Sequence, residues 1–259
     1  MIRACIFDLG GTIVDRYSLT PFLSLKKVFN NHNISVTNQL IFKDMGKNKK
    51  DHLIDILSDQ KIMYQWINNY HGMPRKKDID TLFEDFNEIQ MGYSDKMIDI
   101  LPETKKCIDF LQFNYIQTGV TTGFNYGNMN IIRDKLERNQ IYLDSYVSST
   151  CLKKPSRPHP HMIEQNMLNL HIKNPKEVIK IDDTVVGIHE GLRANCWTVG
   201  VARWSINMGI QSIEDAYGFS DEELIYRIEE SRNILKEAGA DYVIDTLDEL
   251  PKVIESIKY

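Results

Sequence analysis

Short apolar runs punctuate the chain, and each stops at a glycine, a hydroxyl or a carboxylate. Ala4-Cys5-Ile6-Phe7 is apolar throughout, the composition of a strand buried on both faces, and it ends at Asp8 before Gly10-Gly11 break the run into a tight turn. Tyr115–Thr122, Ser145–Ser148, Val178–Ile181, Trp197–Val201 and Tyr242–Ile244 have the same strand-like make-up. Between them apolar residues recur at helical spacing: Ile108, Phe110 and Leu111 after Pro102, then Met129 to Leu136, His161 to Leu170 and Ile188 to Ala194. Strand and helix alternate, which predicts an α/β fold with a doubly wound parallel sheet.

One long segment breaks this alternation. Phe22, Leu25, Val28 and Phe29 lie on one helical face, and Leu53-Ile54-Ile56-Leu57 and Leu82-Phe83-Phe86-Ile89 repeat the period with no strong strand candidate among them. The expected organisation is a core domain of residues 1–19 and 99–259, with a helical cap domain, residues 20–98, inserted after the first strand.

Composition narrows the partners. With 31 Lys and Arg against 36 Asp and Glu, a net charge of -5 and a pI near 5.8, the chain has no basic stripe for nucleic acid; Lys47, Lys49 and Lys50 form only a local cluster. Cys5, Cys107, Cys151 and Cys196 are scattered, without the spacing of a zinc site or disulfide framework, and read as reduced thiols. No apolar run approaches the length of a bilayer span, and Met1-Ile2-Arg3-Ala4 lacks a signal-peptide pattern, so the expectation is a cytoplasmic protein acting on a small molecule.

In doubly wound sheets ligands bind at the carboxyl ends of the strands, where Asp8, Thr122, Arg157 and Asp183 are all expected. Asp8 beside a glycine turn suggests a nucleophile for phosphoryl transfer; Thr122 and the Gly123 N–H would hold phosphoryl oxygens, Arg157 would balance developing charge, and Asp183 with Asp8 would hold Mg²⁺. Taken singly, each has a plainer reading: an Asx-turn, a strand-end hydroxyl, a solvated cation, and a helix cap for Asp182 or Asp183. Taken together at successive strand ends, they favour phosphoryl chemistry.

This set resembles the haloacid dehalogenase superfamily over nearly the whole chain. Most phosphatases of that superfamily carry D-x-D, whose second Asp protonates the leaving oxygen; here that position is Gly10. Met45-Gly46-Lys47-Asn48-Lys49-Lys50-Asp51-His52 resembles the M-G-x-x-K-x-D-H cap segment of the phosphonatase (phosphonoacetaldehyde hydrolase) family, and Thr121-Thr122-Gly123, Arg157-Pro158-His159-Pro160, Asp183-Thr184 and Glu190-Gly191 match as well. Spacing alone does not choose Lys49 from its neighbours. The resemblance implies an imine between Lys49 and the substrate aldehyde, attack by Asp8 on phosphorus, proton shuttling by His52, and a catalytic Arg157. It also implies substrate or phosphate contacts from Gly11, Thr12, Met45, Thr122 and Gly123, and Mg²⁺ at Asp8, Gly10, Asp182 and Asp183.

A homodimer joined through the caps is likewise implied, with Tyr64 and Trp66 either at that contact or in the cap core. Four departures stand out: Gly187 replaces the last Asp of the family's G-D-T-x-x-D run, Asp182 replaces its glycine, Phe124 replaces a tyrosine and Ser18 a cysteine. They keep two alternatives open, a phosphate-ester hydrolase and an impaired phosphonate-binding homologue.

Overall fold

The computed structural model describes residues 1–257, the side chain of Asp95 excepted. Its centre is β1 (Ala4–Phe7), whose four residues are fully buried because both faces are covered. Around it lie β2 (Gln117–Thr122), β3 (Ser145–Ser148), β4 (Val178–Asp182), β5 (Trp197–Val201) and β6 (Tyr242–Ile244), all parallel in the order β3-β2-β1-β4-β5-β6. The chain moves outward from β1 to β3 and then crosses back to β4 on the other side of β1. That reversal opens a crevice at the carboxyl ends of β1 and β4. Register brings the ends level: Phe7 pairs with Val120 on one side and Ile181 on the other, and the Asp8 N–H donates to the Ile181 carbonyl at 2.9 Å.

The two-residue period of β1 divides the core. Cys5 and Phe7 point into a cluster with Ile108 and Leu111 of an Thr104–Phe113 helix, Ile132 and Leu136 of a Tyr126–Arg138 helix, and Val253 of a Leu250–Ser256 helix. Ala4 and Ile6 face the other way, onto Ile163 and Met167 of a His161–Asn169 helix. The Val185–Arg193 helix follows β4 directly, capped by Thr184, whose hydroxyl accepts from the Gly187 N–H at 3.0 Å.

Local differences from the sequence reading have physical causes. Tyr115 belongs to a turn, in the left-handed region at φ 56°, so β2 starts at Gln117. The helix expected from Pro102 starts at Thr104, whose hydroxyl donates to the Ile13 carbonyl at 2.7 Å. Helices at Ile213–Gly218 and Asp221–Glu237 fill the stretch between β5 and β6, where the apolar pattern announced none.

Residues Leu19 to Lys96 carry five helices: α1 (Leu19–Asn31), α2 (Asn38–Lys43), α3 (Lys49–Leu57), α4 (Gln60–Tyr70) and α5 (Lys76–Lys96). Phe22, Leu25, Phe29, Leu53, Ile56, Trp66, Leu82 and Phe86 form their shared core. Trp66 is therefore interior, whereas Tyr64 is exposed. The two connections to the sheet are stitched together: Val14 bridges Ile100 in antiparallel sense, and the Asp15 N–H donates to the Asp99 carbonyl at 2.9 Å. The Asp15 carboxylate accepts from the Thr20 hydroxyl at 2.7 Å, and Gln90 of α5 donates to that same hydroxyl at 2.9 Å. Asp15, Tyr17 and Ser18 all have positive φ, a concentration of strained backbone at the entry to the helical segment. No described helix is long and apolar enough to cross a membrane.

Truncating Phe29, fully buried in the helical cluster, leaves a cavity in it. Phe29→Ala is expected to lower stability by about 3–5 kcal/mol, read from the urea midpoint.

Candidate active site

Arg157 sits between β3 and the His161–Asn169 helix, and its buried guanidinium reaches across the strand ends. Its Nη1 meets Asp8 Oδ1 at 2.8 Å and its Nε meets Glu190 Oε2 at 2.8 Å, while Nη2 donates to the Thr121 carbonyl at 2.7 Å and to its hydroxyl at 2.6 Å. Beside it the buried Lys180 of β4 donates to the Thr121 hydroxyl at 2.8 Å and pairs with Asp182 at 2.9 Å. Asp182 also accepts from the Thr184 N–H and hydroxyl, at 2.9 and 2.7 Å.

These two cations, together with the Lys49 ammonium that feels the Asp8 charge, face four buried carboxylates, Asp8, Asp182, Asp183 and Glu190, a deficit of one positive charge. The protonation equilibria register it. Burial raises Asp8 to about 6 against the pull of Arg157, with Asp182 adding to the rise. Burial, then the charges of Asp182 and Asp8, push Asp183 well up. Asp182 is held below the usual carboxylate range because Lys180, Arg157 and the Thr184 bonds outweigh its burial. Oxygens of Asp8, Asp182 and Asp183 lie within 4.8 Å of one another. A compact set of hard oxygen donors that carries more negative charge than its buried cations balance fits a divalent cation of the Mg²⁺ type. Gly10, which has no side chain, has only its backbone carbonyl to contribute.

From the expected set, Asp8, Gly10, Met45, Lys49, Thr122, Gly123 and Arg157 line one cavity, joined by Ser18, Pro21, Gly46, Phe124 and Thr184. Five expected residues do not line it: Asp182 and Asp183 of the carboxylate cluster, and Thr12, Gly11 and His52. Thr12 donates to Asp183 Oδ1 at 3.4 Å, so its hydroxyl serves that carboxylate. Gly11, at φ 69°, is where a Cβ would strike the Asp183 carboxylate. His52 is enclosed with both ring nitrogens unpartnered; burial, then the charges of Lys49 and Lys47, drive its pKa well down and keep it neutral.

The structure separates the three lysines that spacing could not. Lys47 pairs with Asp44 at 2.6 Å and Asp55 at 2.8 Å, and Lys50 pairs with Asp80, both near solvent. Lys49, the first residue of α3, is turned inward and is only 4% exposed. Its ammonium finds the thioether of Met45 at 3.4 Å, a weak acceptor, and burial brings its pKa down to about 8 although the Asp8 charge pulls it up. The helical segment packs closely on the strand ends here, at two glycines. A Cβ on Gly123 would lie 2.8 Å from the Lys47 carbonyl, and one on Gly46 would lie 2.6 Å from the Thr184 hydroxyl.

Sequence reasoning missed Lys180 and Thr121 as parts of the charge network. The available signal was a lysine inside an otherwise apolar strand, which is tolerated only with a buried partner.

A sequence profile described as haloacid dehalogenase-like hydrolase matches residues 5–201. The chain belongs to the haloacid dehalogenase-like hydrolases. Within that family it is similar to two proteins named phosphonoacetaldehyde hydrolase. The one from Bacillus cytotoxicus is 30% identical over 99% of this chain and 97% of that protein. The one from Bacillus mycoides is 31% identical over the same shares. Among solved structures, a phosphonoacetaldehyde hydrolase-like protein from Oleispira antarctica superposes with a TM-score of 0.93 at 30% identity, covering 98% of this chain and 91% of the other. A β-phosphoglucomutase from Clostridium difficile, 21% identical with a TM-score of 0.70 over 98% of this chain and 96% of its own, shares the fold.

In this haloacid dehalogenase-like hydrolase, removing Arg157 takes the close counter-charge from Asp8 and leaves Glu190 only Lys180, at 3.7 Å. Arg157→Ala is expected to cost about 3–5 kcal/mol in stability, measured by chemical denaturation.

Proposed function

We propose that this chain hydrolyses the P–C bond of phosphonoacetaldehyde, or of a close carbonyl phosphonate, through a Lys49 imine and an Asp8 aspartyl-phosphate. The observation that carries the reading is a buried lysine of lowered pKa lining the same cavity as the Asp8 carboxylate and Arg157. Direct cleavage of a P–C bond would expel a carbanion, and an imine gives those electrons somewhere to go. The names of the relatives support the substrate class.

The neutral amine of Lys49 condenses with the aldehyde and releases water. Once the imine is protonated, Asp8 attacks phosphorus; the P–C bond breaks and its electron pair enters the C=N system as an enamine. Protonation of the enamine carbon and hydrolysis return Lys49 and acetaldehyde, and water cleaves the aspartyl-phosphate to phosphate and Asp8. Arg157 holds Asp8 in place at 2.8 Å and opposes the negative charge gathering on the phosphoryl group. Thr122 and Gly123 contact the phosphoryl oxygens, and Met45 keeps the Lys49 amine in an apolar setting. Asp8, Asp182, Asp183 and the Gly10 carbonyl would hold Mg²⁺, which when bound would supply Lewis-acid stabilisation of the phosphoryl charge. Gly10 fits this chemistry, since an enamine carbon leaves without an acid at the second D-x-D position. Because His52 lies behind the cavity wall, a proton passing between it and the substrate needs Lys49 or water in between. The protein acts in the cytoplasm as a homodimer, for which Tyr64 and Tyr70, exposed on α4, offer a surface to a second copy.

Borohydride added with phosphonoacetaldehyde is expected to fix a carbon adduct on the peptide carrying Lys49, seen by mass spectrometry. Lys49→Ala should lose both the adduct and at least about a thousandfold in turnover. Phosphomonoester hydrolysis that survives Lys49→Ala, with no adduct in the parent protein, would assign an ester hydrolase instead.

Imine formation needs the free amine, whose share grows as pH rises toward the Lys49 pKa of about 8. The kcat/KM should therefore climb by roughly tenfold per pH unit below that value and level off above it; a flat profile between about pH 6 and about pH 8 contradicts the assignment.

A further inference from the structure

The family's G-D-T-x-x-D run reads Asp182-Asp183-Thr184-Val185-Val186-Gly187 in this chain. A carboxylate is gained where the pattern has glycine, and one is lost where the pattern has aspartate. These two departures meet in space. A Cβ added to Gly187 would fall inside the Asp182 carboxylate, overlapping Cγ and both oxygens. The strand-end side chain thus fills the volume into which a side chain from position 187 would project.

We infer that the acidic group has been transposed: Asp182, at the end of β4, delivers to the cation site the carboxylate that the family pattern delivers from the first turn of the Val185–Arg193 helix. The inference rests on the metal reading of the site given above. Thr184 pins the transposed group through its N–H and hydroxyl, at 2.9 and 2.7 Å, and Lys180 holds it at 2.9 Å. Its Oδ2 is buried and ion-paired with Lys180 at 2.9 Å and Arg157 at 3.5 Å, and one of its oxygens lies within 4.8 Å of oxygens of Asp8 and Asp183, so a cation bound there shares this carboxylate with those two side chains. Because one volume cannot hold two side chains, positions 182 and 187 are mutually exclusive. Reverting either alone leaves the site with no third carboxylate or with two in collision.

Mn²⁺, followed by its electron paramagnetic resonance signal, tests this on the intact protein without substrate. Asp182→Asn and Asp182→Gly should bind Mn²⁺ roughly 10- to 100-fold more weakly than the parent. Gly187→Asp should lower the melting temperature by several degrees through overpacking. The double variant D182G/G187D should recover Mn²⁺ affinity to within a few-fold of the parent and melt above Gly187→Asp. Parent-like Mn²⁺ affinity in Asp182→Asn, or a double variant that binds no better than Asp182→Gly, overturns the inference. Should Asp182→Gly and the double variant fail to fold because Lys180 loses its partner, Asp182→Asn, which keeps the side-chain volume, decides alone. A parent protein that binds Mn²⁺ yet releases no phosphate from phosphonoacetaldehyde would defeat the proposed reaction and leave the transposition standing.

Discussion

A single buried guanidinium holds the strand ends in register with the chemistry. Arg157 bonds at once to groups from β1, β2 and the helix after β4, and its position is over-determined because each bond also satisfies a partner that could not otherwise stay buried. Burial alone would favour losing its proton, but Glu190, Asp8 and Asp182 hold it charged, with a pKa above the usual arginine range. Lys180 repeats the arrangement one strand pairing away. The result is a polar core rigid enough to aim Asp8, and still short of positive charge where a divalent ion is expected.

Much of the sheet was legible because buried parallel strands write themselves as unbroken apolar runs, as Ala4–Phe7 and Trp197–Val201 do. The Asp221–Glu237 helix was not legible: it packs through few residues, with Ile228, Ser231 and Leu235 buried, and its remaining sequence is charged enough to pass for a loop. The distinction among Lys47, Lys49 and Lys50 was equally hidden. Their difference lies in Asp44, Asp55 and Asp80, which draw two of them outward, and those pairings exist only in three dimensions. Asp182 and Gly187 looked like two independent departures in one dimension, yet in space a Cβ at Gly187 would overlap the Asp182 carboxylate. Thr12 and His52 were recognised by motif, but their place behind the cavity wall depends on packing that no spacing rule encodes.

The helical segment brings its lysine to the sheet by helix geometry. Asn48 caps α3 by accepting from the Lys50 N–H at 2.9 Å, which makes Lys49 the first helical residue and points it along the axis toward the strand ends. At the other end of the segment's attachment, Asp15, Thr20 and Gln90 tie the entering chain to the departing helix through shared hydrogen bonds. Burial lifts the Asp15 carboxyl to about 7, Thr20 opposing, so the tie contains a group that changes charge near neutrality. The strained backbone at Asp15, Tyr17 and Ser18 lies in the same connection.

The absence of side chains at Gly46 and Gly123 has a consequence beyond close fit. Gly123 meets the main chain of Lys47 and Gly46, and Gly46 meets the side chain of Thr184, so the seam has no room for a side chain at either glycine. A methyl group at either glycine would act as a wedge, leaving the amine in one compartment and the carboxylate in another. Both glycines also line the cavity, so the seam between the lobes and the wall of that cavity are one surface.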